Sequence, residues 1–313
     1  MAAKTLISCL FFEPSGPKLL NSRFTLPRSA YVLLQCMSVL KSFLLLTRFW
    51  NLLIIGLAQY CTAGFLFSPH MVYDVRLLLL ATSTVLIAAA GYIINDYYDV
   101  KIDLINKPER VVIGKSIKRR YALLLHTLLS FVGIAIGFLL SWKIGVVNLG
   151  CAFLLWLYSN ALKRLPFIGN FTVALLTGLS IFIVNVLYPP WSVLVCLYTL
   201  FAFFITLVRE IIKDLEDLKG DDTFGCRTLP IVYGIRKTKM IIYFLLALFA
   251  LLVMTLNQWI TPLPMKFFAW SLFLPMVALW GWIVRADTRN DFYQLSQFCK
   301  FMMLAGILSM AFL

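Results

Sequence analysis

Apolar runs of about 20 residues recur along this chain with only short polar breaks, and few folds tolerate that pattern. A helix of that length crosses a hydrocarbon core of about 30 Å, and nine such runs can be read. They span approximately Phe43 to Phe67, Val75 to Asn95, Tyr121 to Leu140, Ile144 to Leu162, Phe167 to Leu187, Val193 to Val208, Met240 to Trp259, Phe267 to Val284 and Leu295 to Leu313. The sixth is short and is expected to extend into Arg209 and Glu210. A bilayer offers backbone groups no water, and the runs are too long and continuous for barrel strands, so each is expected to be a helix. With 61% hydrophobic and 13% charged residues, a water-soluble globule is excluded, because its surface would be extensively apolar. The expected fold class is all-α, a polytopic membrane bundle of nine transmembrane helices over residues 42–313.

The breaks alternate in charge. Those around Lys101 to Arg120, Lys163 and Arg164, Arg209 to Lys239 and Arg285 to Arg289 are rich in Lys and Arg. Those near Ser68 to Tyr73, Tyr188 to Trp191 and Asn257 to Pro264 carry neither, and the break at Trp142 has only Lys143. Basic loops face the cytoplasm, so the N-terminus is expected inside and the C-terminus outside the cell membrane. The same loops absorb most of the net charge of +14, which therefore speaks for topology and lipid contact and against nucleic-acid binding. Residues 1–41, with an "EPSGPK" break, read as a cytoplasmic or interfacial arm without a secretory cleavage site. Seven scattered cysteines without a CxxC pair indicate packing, not a disulfide framework or thiolate metal site. His70 and His126 fall on opposite sides of the membrane, too few for haem ligation or a proton relay.

The chemistry concentrates in two acidic triplets. Asp96, Asp99 and Asp103, in "NDYYDVKID", stand at i, i+3 and i+7, within about 60° on one face of a continued helix. Pairs of full charges about 8 Å apart repel by roughly 2 kcal/mol at an effective dielectric of about 20, so a cation is expected among them. Asp214, Asp217 and Asp221, in "KDLEDLKGDD", repeat the spacing where another apolar run ends on the same side. A duplicated half and a convergent two-sided site both produce this pattern, and either lets the triplets face each other across the bundle. Oxygen-only ligands select hard divalent ions, and Mg2+ commonly takes one or two carboxylates and shares its remaining shell with water and phosphate. Two acidic helices each holding Mg2+ form a clamp for a diphosphate. Lys107, Arg110, Lys163 and Arg227 are the cations placed to hold its outer oxygens.

At these residues the chain resembles the UbiA-type intramembrane prenyltransferases. "NDYYDVKID" fits that family's NDxxDxxxD motif, "DLEDLKGD" fits its second, DxxDxxxD-type motif, and the nine-run layout extends the likeness over nearly everything after Lys41. The resemblance implies helices around a central cavity, Mg2+-dependent ionisation of an isoprenyl diphosphate, and capture of the allylic cation by a lipophilic acceptor. It implies that Asn95 joins Asp96, Asp99 and Asp103 in the first metal and diphosphate site, with Asp214, Asp217 and Asp221 in the second. "RFWN" is similar to the family's Arg and Asn pair and implies that Arg48 and Asn51 line the substrate cavity; "YSNALK" likewise implies Tyr158 and Lys163 near the diphosphate. Arg48, inside the first run, is a functional candidate on the cost of burying an ion there, with snorkelling to the boundary as the other reading.

The flanks "NKPERVVIGKSI" and "VREIIKDLEDLKGDDTFGCRTLPI" are most similar to the digeranylgeranylglyceryl phosphate synthase branch, whose acceptor is geranylgeranylglyceryl phosphate. The alternative is an aromatic prenyltransferase of quinone synthesis acting on 4-hydroxybenzoate or dihydroxynaphthoate. A secondary transporter is a third class, but it needs charge near the midplane, whereas these acids gather at helix ends. A monomer is the default oligomeric state.

Overall fold

The computed structural model describes residues 41–106, 108–259 and 263–312. The arm expected over residues 1–41 lies outside them, save Lys41. Ten α-helices follow in chain order among the described residues. They are α1 (Phe49–Leu66), α2 (Val75–Asn106), α3 (Arg119–Leu140), α4 (Trp142–Asn160), α5 (Ile168–Leu187), α6 (Val193–Glu216), the short α7 (Leu218–Thr223), α8 (Leu229–Trp259), α9 (Leu263–Arg285) and α10 (Arg289–Ser309). Eight of them are long and apolar enough to cross a membrane, and α9 adds a further apolar segment, Leu274–Arg285. Each of the nine expected runs therefore has its helix, and the described residues contain no strand beyond an isolated bridge between Ile113 and Ile117.

Helix ends differ from the apolar runs in ways that matter for the site. Helix α2 continues to Asn106 and α6 to Glu216, because polar side chains leave the hydrocarbon without interrupting the backbone ladder. Helix α1 starts only at Phe49: residues 41–46 are helical, Thr47 and Arg48 turn, and Arg48 adopts a left-handed φ of 51°. Arg48 thus stands at a helix break, not inside an uninterrupted span. Helix α8 begins at Leu229 and kinks at Gly234, whose φ of 77° suits a residue without Cβ. Helix α10 begins at Arg289, six residues before the apolar run, because Thr288 and Asp291 form a reciprocal capping box.

Helix α6 is the axis of the bundle. Buried side chains occupy 61% of its apolar window against 11% for α3, whose apolar face is left for lipid. It packs against α5, α8 and α10, while α2 packs against α1, α3 and α4. Small residues permit the close crossings: a Cβ on Gly306 of α10 would overlap the Phe201 ring of α6. Several buried polar groups pair between helices. Gln59 donates to Thr84 Oγ1 at 3.0 Å and to the Ser180 carbonyl at 2.7 Å, joining α1, α2 and α5. Asn148 and the Gly133 carbonyl meet at Ser83, joining α4, α3 and α2. His126 hydrogen-bonds the Ala90 carbonyl at 3.0 Å, a structural role.

At the end of the bundle away from the acids, Asp74 caps α2. Its Oδ1 accepts from the Arg76 amide at 2.8 Å, and its Oδ2 accepts from the Tyr188 hydroxyl at 2.9 Å, tying the start of α2 to the end of α5. The Arg76 side-chain hydrogen bond, against the opposing effect of burial, holds the Asp74 carboxyl below its usual range. A depressed folded-state value stabilises above the unfolded carboxyl pKa and is lost as pH falls through the folded one. Asp74→Ala is accordingly expected to lower the melting temperature in detergent by a few degrees at neutral pH, with the difference from wild type shrinking in acid. Thermal unfolding at the two pH values measures it.

Candidate active site

Both acidic triplets lie at one end of the bundle, but their backbones differ. Asp96, Asp99 and Asp103 all ride on α2, as their spacing implies. Only Asp214 lies on α6; Asp217 is the junction at which that helix stops, with φ −94° and ψ 7°, and Asp221 belongs to α7. The second triplet therefore does not sit on one continuous helix. The bend turns α7 toward α2, and the two helices pack together, which brings the triplets face to face.

Each helix end supplies a partner. Arg48 Nη2 meets Asp96 Oδ1 at 2.9 Å and lies over the Tyr92 ring, 4.9 Å from its centroid. Asn95 is within hydrogen-bonding reach of Asp96, and Asp103 is within electrostatic reach of Arg48. Lys163 Nζ forms an ion pair with Asp99 Oδ1, both side chains being largely buried at 9% and 14% exposure, and it faces the Tyr98 ring. Lys163 is delivered by the turn Leu162–Arg164 between α4 and α5. On the other wall, Asn170 Nδ2 donates to Asp214 Oδ2 at 2.9 Å. Tyr158, near the end of α4, is half-buried between the two walls, within electrostatic reach of Asp99, Asp214, Glu210 and Arg48.

The loop after α7 closes the site. The Cys226 amide donates to the Asp221 carbonyl at 2.9 Å, and the Arg227 amide donates to the Arg164 carbonyl at 2.9 Å, fastening this loop to the Lys163 turn. The Arg227 side chain is exposed. Arg48 and Phe167, at the starts of α1 and α5, both hold positive φ, a strain of about 1–3 kcal/mol each that clusters where the acids converge. Lys107 lies outside the described residues, as does the side chain of Arg110, whose backbone forms the turn Pro108–Arg110.

Several residues of the site escaped sequence reading. Asn170 is a buried polar group in an apolar run and Glu210 one just past the end of another; Glu210 is 8% exposed and paired to Arg209 at 2.8 Å and to Lys213 at 2.9 Å. Lys300, in the apolar passage "QFCKFMM", donates to Asn51 Oδ1 at 3.1 Å. The signal was present, since an ionised group within a span is costly and functional by default. Below Asn51 and Lys300 opens a small apolar cavity of about 60 Å³, walled by α1, α5, α6 and α10 through Ile54, Ala58, Thr177, Ile181, Phe201, Met303 and Ile307.

Among the described residues no three Asp, Glu, His or Cys side chains converge tightly enough to enclose a metal by themselves. The donor set is carboxylate oxygen on two facing walls, which suits Mg2+: this ion needs one or two protein carboxylates and completes its shell with water and phosphate. The arrangement fits an ion that shares its coordination with a phosphorylated ligand.

Comparison with known proteins agrees. Residues 57–305 match the UbiA prenyltransferase family, a stretch that begins just after Arg48 and Asn51. The digeranylgeranylglyceryl phosphate synthase of Saccharolobus solfataricus is 40% identical over 228 residues, 72% of this chain and 77% of the relative. The synthase of the same name from Methanosphaera stadtmanae is 40% identical over 169 residues, 54% of this chain and 62% of the relative. A solved structure of digeranylgeranylglyceryl phosphate synthase superposes with a TM-score of 0.69 at 26% identity, over 87% of this chain and 97% of that one. A UbiA homologue from Archaeoglobus fulgidus, solved with GPP and Mg2+, shares the fold at TM-score 0.66 and 17% identity, covering 86% and 99%. With its two acidic walls, its helical bundle and a family match over most of its length, this chain belongs to the UbiA prenyltransferase family.

Proposed function

We propose that this protein transfers a geranylgeranyl group from its diphosphate to the free hydroxyl of geranylgeranylglyceryl phosphate, releasing diphosphate. The observation that carries the reading is the pair of facing acidic walls, each with its own polar partner, above an apolar cavity. Asp96, Asp99 and Asp103 with Asn95 form one metal and diphosphate wall; Asp214, Asp217 and Asp221 form the other. Bound Mg2+ supplies charge neutralisation for the leaving diphosphate.

The chain's own residues do the rest. Lys163 and Arg48 hold the cluster in register and present positive charge to the phosphate oxygens, with Tyr158 between the walls and Arg227 on the loop after α7; Lys107 and Arg110 join the cationic set by their place in the sequence beside the first acidic motif. The allylic C–O bond breaks with its electron pair going to diphosphate, and the hydroxyl oxygen closes the new C–O bond as its proton passes to the departing diphosphate. The apolar helix faces beneath the acids receive an isoprenoid chain and keep water from the cation. The active end faces the cytoplasm in this reading, with the N-terminus inside, the C-terminus outside and the cell membrane as location, since the basic breaks converge at that end. The protein acts as a monomer.

The test is an assay of purified protein in nanodiscs with Mg2+ and labelled geranylgeranyl diphosphate. The expected product is the doubly prenylated glycerol phosphate. A prenylated 4-hydroxybenzoate or dihydroxynaphthoate would instead assign the same site to quinone synthesis, and absence of any prenylated product would defeat the enzyme reading.

A further inference from the structure

Lys300 is the residue that the diphosphate machinery leaves unexplained. It lies midway along the apolar stretch Arg289–Phe312, where an ammonium group is expensive to keep. Its chain neighbour Cys299 is fully buried and Phe301 is exposed on the outer face, so α10 turns Lys300 toward the interior, where it reaches Asn51. Spacing places both residues on the rim of the apolar cavity: Asn51, Ile54 and Ala58 share a face of α1, and Lys300, Met303 and Ile307 share a face of α10. On α6 the same argument aligns Arg209 with Tyr198 and Ala202 of the cavity wall.

The cations at this end thus form two groups. Arg48 and Lys163 are bound to Asp96 and Asp99 of α2. Lys300 stands on α10, donating to Asn51, and Arg209 stands on α6, paired with Glu210 of its own helix; α10 and α6 pack together and both touch α1. A donor diphosphate is served by the first group. A reaction between two phosphorylated lipids presents a second anion, and a second cationic rim is what it requires.

Resting on the acceptor class given above, we propose that Lys300 binds the phosphate monoester of the acceptor lipid, with Arg209 beside it, and that Asn51 orients the ammonium group. The charge then selects an anionic acceptor and sets its hydroxyl toward the acidic walls. Lys300 acts on acceptor affinity and not on donor ionisation.

Steady-state kinetics of Lys300→Gln and of Lys300→Met, a substitution of similar length that suits an apolar helix, test this in nanodiscs. Removal of a charge-assisted hydrogen bond is expected to raise KM for the glycerol phosphate acceptor about 10- to 100-fold. The donor KM and the inhibition constant of inorganic diphosphate are expected to stay within about twofold. Lys300→Arg is expected to retain most acceptor affinity, and both neutral variants to lose the preference for the phosphorylated acceptor over its dephosphorylated alcohol. An unchanged acceptor KM overturns the assignment, as does a rise in donor KM or in the diphosphate constant equal to that for the acceptor. If the wild-type protein transfers nothing to the glycerol phosphate lipid, the acceptor reading itself fails and takes this assignment with it.

Discussion

Asp96→Ala and Asp214→Ala are each expected to reduce prenyl transfer by at least about 10³-fold while the protein stays folded in membranes. The two residues come from opposite walls, so the pair tests whether the walls act together on one diphosphate. Neither is expected to unfold the chain. The Asp96 pair with Arg48 is partly exposed, at 17% and 37%, and such a pair contributes at most about 1 kcal/mol. Asp214 exchanges one hydrogen bond with Asn170, also worth about 1 kcal/mol. Glu210→Ala is the contrasting case. It strips the partner from Arg209 and Lys213 next to the core of α6, so stability falls along with activity. Transfer rates beside thermal unfolding of each variant separate the two outcomes. A folded Asp96→Ala or Asp214→Ala protein with near-normal transfer would remove that wall from the mechanism.

Withdrawal of Mg2+ is expected to abolish transfer, and its return to restore it. Six carboxylates gather near a ligand that itself carries negative charge, and every added pair at about 8 Å costs roughly 2 kcal/mol at an effective dielectric of about 20. Arg48, Lys163 and Asn170 relieve this for the protein alone. They do not suffice for a diphosphate as well. In chelator, donor binding is therefore expected to weaken together with turnover, and Mn2+, which also favours oxygen ligands, is expected to substitute in part, whereas K+ is not. Equilibrium binding of the labelled donor with and without chelator measures the first effect, and metal add-back measures the second. Full transfer in chelator would leave the carboxylates without the role given to them.

Much of the site was legible before the fold. The i, i+3, i+7 spacing placed Asp96, Asp99 and Asp103 on one face, and α2 carries them so, because the apolar run and its polar continuation form a single helix to Asn106. The same spacing misled at Asp214, Asp217 and Asp221, where the chain stops one helix at Asp217 and starts another. Periodicity assumes that a helix continues, and only packing against α2 shows that the bend is used. Arg48 was flagged on the cost of an ion in a span, yet it lies at a helix break with left-handed φ.

Asn170 and Lys300 show the opposite failure. Each is one polar residue in an apolar run, and its significance depends on a partner 44 or 249 positions away. Hydropathy and helical spacing are local properties, set by transfer free energy and by 3.6 residues per turn, so the sequence by itself determined the apolar spans and the two acidic motifs. Tertiary structure alone decided which cation meets which acid, where the cavity opens and which helix brings a lysine to its rim. Those contacts join residues far apart in the chain, and they arise from the way whole helix faces pack, a property that no single segment carries.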